Sequence, residues 1–188
     1  MMGAVSYFEK QFLVAMPGLE DPNFEHGVTL LCQHNEQGAL GITINRKSDL
    51  TVQDVLAQLG IQCNDPAVGA RPVLAGGPVQ QERGFVLHSP GPVFDATTEI
   101  APDIMITTSR DILEAIAAGE GPEKFVLALG YSGWAPGQLE EEVKANSWLN
   151  TPADAAIVFD LPIEHRWHQA VASLGIDVST LQPLGGHA

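Results

Sequence analysis

Apolar residues along the chain fall into short runs closed by Gly, Pro or Asn rather than into long amphipathic stretches. Runs of that length read as strands, and they predict strands at about 11–16, 27–34, 39–44, 72–76, 84–88, 104–107, 124–129 and 155–159. Asn35-Glu36-Gln37-Gly38 separates the second and third runs. A glycine there can take positive φ, so the pair predicts an antiparallel hairpin. Four segments carry helix signals instead. Thr51 with Asp54 supplies a cap and an acid in the first turn, Val52, Val55, Leu56 and Leu59 make one face, and Gly60 gives the stop. Thr108 and Asp111 repeat this arrangement ahead of Ile112, Leu113 and Ile116, with Gly119 at the end. A helix over about 137–145 opens with Glu140, Glu141 and Glu142, which suit the positive end of a helix dipole. The last starts near Pro162 and runs through Trp167, Ala170, Val171 and Leu174 to Gly175. The stretch from His88 to Asp103, with Pro90, Gly91, Pro92 and Pro102, reads as a loop between two parts of one fold. A hairpin followed by alternating strands and helices implies a mixed α/β (α+β) architecture, a mixed sheet with helices packed on it.

Length and charge narrow the function classes. A chain of 188 residues with 45% hydrophobic and 17% charged residues is expected to form a single domain over 1–188 and to bury roughly 70% of its unfolded surface. Nine Lys and Arg against 23 Asp and Glu give a formal net charge of −14. The cations are scattered, and affinity for nucleic acid comes largely from cations that neutralise phosphates, so no direct nucleic-acid contact is expected. The same charge disfavours anionic membrane surfaces. Met1 to Gln11 has no apolar core followed by a cleavage site, so secretion is not expected. No apolar run approaches the roughly 20 residues of a membrane span. Cys32 and Cys63 are too few for a disulfide scaffold, and a reduced cytoplasmic setting is the default.

Several groups of residues invite chemical readings. Gly130-Tyr131-Ser132-Gly133-Trp134 follows an apolar run and precedes a helix, where a nucleophile elbow would place its serine, but Trp134 stands where that turn needs a second glycine. His88 or His165 as base and Asp160 as orienter would complete a triad with Ser132; the plainer reading is a structural turn. Gly76-Gly77-Pro78-Val79 could offer backbone N–H groups to an anion, or could mark a tight turn or a close backbone approach. His26, Cys32 and His34 have even spacing on one expected strand and would share a face. That spacing matches no metal-ligand motif. Trp134, Trp148 and Trp167 with Tyr131 could form an aromatic platform or serve as core anchors. Trp167 lies at core spacing, whereas Trp134, between Gly133 and Pro136, is expected to be partly exposed.

Taken in order, Phe12-Leu-Val-Ala-Met-Pro17, His34 with Gly38-Ala39 and Gly41-Ile-Thr-Ile-Asn45, Gly76-Gly77-Pro78-Val79, Leu87-His88, Gly130-Tyr-Ser-Gly-Trp134, Gly137-Gln138-Leu139-Glu140, Asn146-Ser147-Trp148 and Gly186-His187-Ala188 resemble the bacterial YqgE/AlgH family over essentially the whole chain. Lys47 departs from the pattern, which has a proline after the Asn-Arg pair, and this touches only a local turn. The resemblance implies a bent, bifurcated sheet that forms a pseudo-barrel flanked by helices. It implies no settled activity and no agreed catalytic or binding residues, and some members carry a transcriptional-regulator label through a link to alginate production. No helix pair in this chain has the short turn and basic recognition helix of a helix-turn-helix. The expectation is a non-enzymatic cytoplasmic binding or regulatory protein, without cofactor or metal, acting through an unidentified protein or small-molecule partner. The alternative is a small-ligand binder or hydrolase-like enzyme whose cleft gathers Gly76, Gly77, His88, Tyr131, Ser132 and Trp134. That reading requires those residues to converge in space.

Overall fold

The computed structural model describes residues 9–15 and 26–174. Its elements in chain order are β1 (Gln11–Ala15), β2 (Val28–Asn35), β3 (Gly38–Thr43), β4 (Lys47–Thr51), α1 (Val52–Gln58), α2 (Pro66–Gly69), β5 (Pro72–Ala75) and β6 (Val79–His88). β7 (Thr97–Ala101), β8 (Ile104–Thr107), α3 (Arg110–Ala117), β9 (Phe125–Trp134), α4 (Gln138–Lys144), β10 (Trp148–Pro152), α5 (Ala155–Phe159) and α6 (Arg166–Ser173) follow, with a 3-10 turn at Ile163–His165 before α6.

The ten strands of the described residues join one sheet, ordered β10-β1-β2-β3-β9-β6-β8-β7, with β4 and β5 as a branch. The branch point is β9. Its first half lies between β6, antiparallel at Gly84↔Leu129 to His88↔Phe125, and β5, parallel at Leu74↔Ala128 and Ala75↔Leu129. Its second half exchanges β5 for β3, with Gly41↔Ser132 and Ala39↔Trp134. Gly130, at φ +80°, sits at the fork. The sheet is therefore bent, bifurcated and of mixed direction, as the resemblance implies.

Alternation along the strands sends side chains to three cores. Phe12, Val14, Leu30, Ile42, Phe85 and Leu87 face the concave side, which α5 and α6 close with Ile157, Val158, Trp167, Ala170 and Val171. The outer face of one half carries Val73, Val86 and Leu127 against Val52, Val55, Leu56, Ile112 and Ile116 of α1 and α3. The outer face of the other half carries Leu13, Leu31 and Trp134 against Leu139 of α4, with Trp148 of β10. Trp167 belongs to the first core as its spacing predicts, its indole N–H donating to the Ala15 carbonyl at 3.2 Å.

The β2–β3 hairpin forms as predicted, with Gly38 at φ +127° and the Gln37 amide bonded to Asn35 Oδ1 at 2.8 Å. Helix α1 has both halves of its capping box, Asp54 N–H to Thr51 Oγ1 and Thr51 N–H to Asp54 Oδ2, and Gly60 follows at φ +73°. Four expectations change. Residues 155–159 are helix, not strand: Asp154 accepts the Ala156 amide at 2.9 Å and starts a turn that the apolar run alone does not distinguish from a strand. The cap of α3 is Ser109 rather than Thr108, and Asp111 in its first turn accepts from the Ser109 hydroxyl. The stretch from His88 to Asp103 is not all loop, since it contains β7. Finally, β9 does not stop at Leu129 but continues through Trp134. Met16, Gly175 and Gly186 to Ala188 lie outside the described residues. No described helix is long and apolar enough to cross a membrane.

Candidate functional site

The glycines singled out in the sequence mark a crossing of two chain segments. After β5 the chain passes over β9 to reach β6, and it does so at Gly76-Gly77 against Gly130-Tyr131-Ser132. A Cβ on Gly77 would lie 2.2 Å from the Tyr131 carbonyl carbon, and one on Gly76 would lie 2.4 Å from the Gly130 oxygen. The Gly76 amide is bonded to Leu129 O and its carbonyl accepts from Thr43 N–H, both at 2.8 Å. Close backbone approach thus accounts for the glycine pair, and the Gly76 amide is not offered to an anion.

Ser132 is a strand residue paired with Gly41 and is 1% exposed, with no hydrogen bond to its hydroxyl among the described residues. A nucleophile elbow needs an exposed serine on a sharp turn. His88 pairs with Phe125 at the far end of β9, roughly 20 Å away at strand rise. Asp160 is bound to Lys124 at 2.8 Å. The structure therefore brings Gly76 and Gly77 against Tyr131 and Ser132 but leaves His88 apart, and the shared cleft does not form.

His88 has a definite role in its own place. Its ring is fully buried, with Nδ1 3.0 Å from the Ser89 carbonyl and Nε2 2.7 Å from Thr107 Oγ1. A carbonyl only accepts, so Nδ1 carries the proton and Nε2 accepts from the Thr107 hydroxyl. Thr107 then accepts from Thr97 at 2.7 Å, and Thr97 accepts from the Phe94 amide at 2.9 Å. This order is the one a neutral ring makes. Burial pushes the His88 pKa below the ordinary value of 6.5, against the opposing pull of the Ser89 carbonyl. The unfolded chain therefore binds this proton more tightly than the folded one. The resulting stabilisation is complete above about 6.5 and fades as pH falls from there through the folded value. His88→Gln is expected to flatten the onset of that acid loss in urea melts taken either side of 6.5, and an unchanged slope would assign it to other groups.

Helix α4 covers the outer face at the opposite end of β9. Trp134, expected near the surface, is 6% exposed, and Trp148 is 1% exposed. Both indole N–H groups donate to Glu142 Oε1 at 3.0 Å, and Gln138 Nε2 donates to Glu142 Oε2 at 2.9 Å. Two residues before Glu142 on the same helix, Glu140 Oε1 lies 3.0 Å from Nε2 of the fully buried His34. Burial opposes ionisation of Glu140, yet the His34 hydrogen bond and charge, its own amide and Lys144 together hold its pKa below the usual carboxylate value. Glu142 carried no motif of its own in the sequence; an acid set between two tryptophans was the available signal.

The even spacing of His26, Cys32 and His34 does not put them on one face. His26 precedes β2 and packs edge-on against Trp167, and an irregularity between Leu31 and Gln33 shifts the alternation, so that Cys32 faces the concave core and His34 faces α4. No group of three or more His, Cys, Asp or Glu among the described residues is arranged to hold a metal ion. Burial raises the Cys32 thiol to about 12, which keeps it protonated, while Cys63 lies across the sheet in the core beneath α1 and α3.

The described residues do not fully cover that outer core. Between α1 and α3 a groove of about 330 Å³ opens onto β6 and β9. Leu50, Val55, Leu59, Leu113, Leu127 and Leu129 line it, and Leu59 stands 39% exposed at its lip. Gly84 lies in the floor, where an added Cβ would meet only ordinary contacts, 3.8 and 3.9 Å, with Leu129 and Leu127. Thr107, Ser109 and Arg110 reach it from one end, and Glu82 stands beside it in the stretch of β6 where five residues span two of β9, between Val79↔Tyr131 and Gly84↔Leu129. The volume is that of a small binding site, and apolar side chains dominate the lining. Sequence reading missed this groove because its walls and floor come from four separated segments.

A forked, curled sheet flanked by helices carries an apolar groove on its outer face, with no assembled reaction centre among the described residues. Its relatives place it further. A sequence profile described as AlgH-like matches residues 12–179, so the chain belongs to the AlgH-like family. It is 53% identical over 187 residues to a UPF0301 protein of Thioalkalivibrio sulfidiphilus and 50% identical over 188 residues to one of Hahella chejuensis, covering 100% of each chain in both cases. The solution structure of the AlgH protein from Pseudomonas aeruginosa is similar at TM-score 0.80 and 47% identity, covering 96% of each chain. A crystal structure from Corynebacterium diphtheriae, at TM-score 0.70 and 23% identity over 90% of this chain and 88% of that one, shares the fold.

Proposed function

We propose that the chain is a non-enzymatic cytoplasmic binding or regulatory protein that acts through a protein or small-molecule partner held in the groove between α1 and α3. The observation that carries this reading is the groove itself, an apolar concavity that no described residue covers, in a protein whose other apolar faces are closed by α4, α5 and α6. The groups that could have suggested catalysis support it too, since His88, His34 and Ser132 are enclosed in packing or structural networks. Any influence on transcription is indirect. The described helices carry Arg110, Lys144 and Arg166 as their only Lys or Arg, one each, and Arg166 is buried with its guanidinium on the Ile44 and Leu161 carbonyls. A formal charge of −14 would repel a duplex before such residues reached it.

A thermal-shift screen over a metabolite panel, run on wild type and on Gly84→Leu, tests the reading. A ligand that binds only the native state raises its melting temperature, and the leucine fills the groove from its floor. Ligands that stabilise the wild type are expected to lose that effect in the variant. Equal stabilisation of both proteins, or turnover of a panel member, overturns the groove reading, and tight binding to duplex DNA near physiological salt overturns the indirect one.

A further inference from the structure

The groove offers contact surface of a particular kind. Three of its polar side chains are already engaged: the Thr107 hydroxyl with His88 and Thr97, the Ser109 hydroxyl with Asp111, and the Arg110 guanidinium with the Leu59 carbonyl at 2.8 Å and Glu114 at 3.5 Å. Gln58, Gln81, Glu82 and Thr108 stand among the remaining lining residues, around aliphatic walls and floor. Most of what the groove presents to an incoming molecule is nevertheless aliphatic surface, from Leu50, Val55, Leu59, Leu113, Leu127 and Leu129.

Its surroundings are acidic. Glu82 lines the groove and makes no ion pair among the described residues. Asp54 is exposed on the α1 wall, Asp111 and Glu114 belong to the α3 wall, and Arg110 is the one Lys or Arg that lines the groove, with Glu114 as its counter-charge. Arg83, next to Glu82, stacks over Phe85 on the concave face, 5.1 Å from its ring centre, and so points away. The formal charge of −14 extends that sign over the whole molecule. A field of one sign steers oppositely charged partners toward it and disfavours like-charged ones.

Resting on the groove reading above, we infer that the occupant is a basic amphipathic segment of a protein partner, which inserts apolar anchor side chains between α1 and α3 while its Lys and Arg face Glu82, Asp54 and Glu114. Anchors packed into a desolvated pocket supply the affinity, and the acidic rim supplies charge selection and rate of encounter.

The test uses the full chain and two model peptides. One carries leucines and a tryptophan on one helical face and lysines on the other; its twin replaces every lysine with glutamate. Binding is followed by fluorescence anisotropy and by amide shifts in two-dimensional NMR. The lysine peptide is expected to bind, to move amides of α1, α3 and β6, and to weaken as salt rises. Gly84→Leu, which fills the floor, and Leu113→Ser, which depletes the wall, are each expected to weaken it at least about tenfold, corresponding to about 1.4 kcal/mol. Glu82→Lys is expected to weaken it a few-fold without moving the site. The glutamate twin is expected not to bind. If the lysine peptide binds equally well to both groove variants, or if the twin binds as well as the lysine peptide, the basic-segment inference fails. In either case the groove reading stands, provided that a neutral apolar probe, 1-octanol, still shifts groove amides in wild type and not in Gly84→Leu. If neither the peptides nor octanol reach those amides, both readings fail.

Discussion

Glu142→Ala is expected to lower the free energy of unfolding by about 2–5 kcal/mol, because it removes the acceptor that two buried indole N–H groups share, at about 1–3 kcal/mol for each of these bonds lost. Trp134 and Trp148 both reach Oε1 at 3.0 Å, and neither side chain can turn toward water from the core beneath α4. Gln138 loses its partner as well, and with it the tie that fixes the first turn of α4, where its own Oε1 accepts from the Ala135 amide. Glu142→Gln retains one carbonyl acceptor for the indoles but turns the other position into a donor facing Gln138, so it is expected to fall between Ala and wild type. The neighbouring Glu141 is the control. It is 77% exposed and meets Lys144 only at 3.9 Å, so its alanine variant is expected to stay within about 0.5 kcal/mol of wild type. Denaturant melts followed by tryptophan fluorescence measure all three. Similar stabilities for the alanine variants at 141 and 142 would remove the shared-acceptor account.

Gly77→Ala is expected to be more damaging, with a loss of about 4 kcal/mol or more, in the range reserved for substitutions that break a specific structural device. The new methyl would lie 2.2 Å from the Tyr131 carbonyl carbon and 2.5 Å from the Ser132 amide nitrogen. Both are backbone atoms of a strand paired on both sides, so relief requires the crossing chain to lift or β9 to give way. Gly84→Ala tests whether any glycine in this region is equally intolerant. Its methyl meets only the ends of two leucines, and a change of no more than about 1 kcal/mol is expected. Soluble yield and denaturant midpoint separate the two, and a well-folded Gly77→Ala protein would mean that the crossing is looser than drawn.

Legibility in the sequence followed how locally each feature is determined. The β2–β3 hairpin depends on one glycine at one turn, and α1 on two residues that cap each other, so both could be read directly. Helix α5 could not, because five consecutive apolar residues fit either state and Asp154 alone decided between them. The end of β9 was misread for a related reason. Gly130 resembles a strand terminator, yet its positive φ bends the strand at the fork without ending it. Gly76 and Gly77 could be recognised as a place of close approach, although what approaches them lies more than fifty residues away. His88 and the Tyr131–Trp134 segment each lay on a strand, but register, which sequence does not supply, set them at opposite ends of β9. The groove was least visible of all, since it exists only where Gly84 leaves a floor unfilled between helices from two different segments.

Because β9 is the one strand that hydrogen-bonds to β3, β5 and β6 alike, each half of the forked sheet has it as a member. Neither half can open completely without stripping partners from the other. Opening either half is therefore expected to weaken the other, and a mutation that destabilises one lobe is expected to lower the unfolding midpoint of both. The outer face of β6 and β9 forms the floor of the groove, so the proposed binding surface rests on the strands most tied into the sheet, while its walls are the short helices α1 and α3.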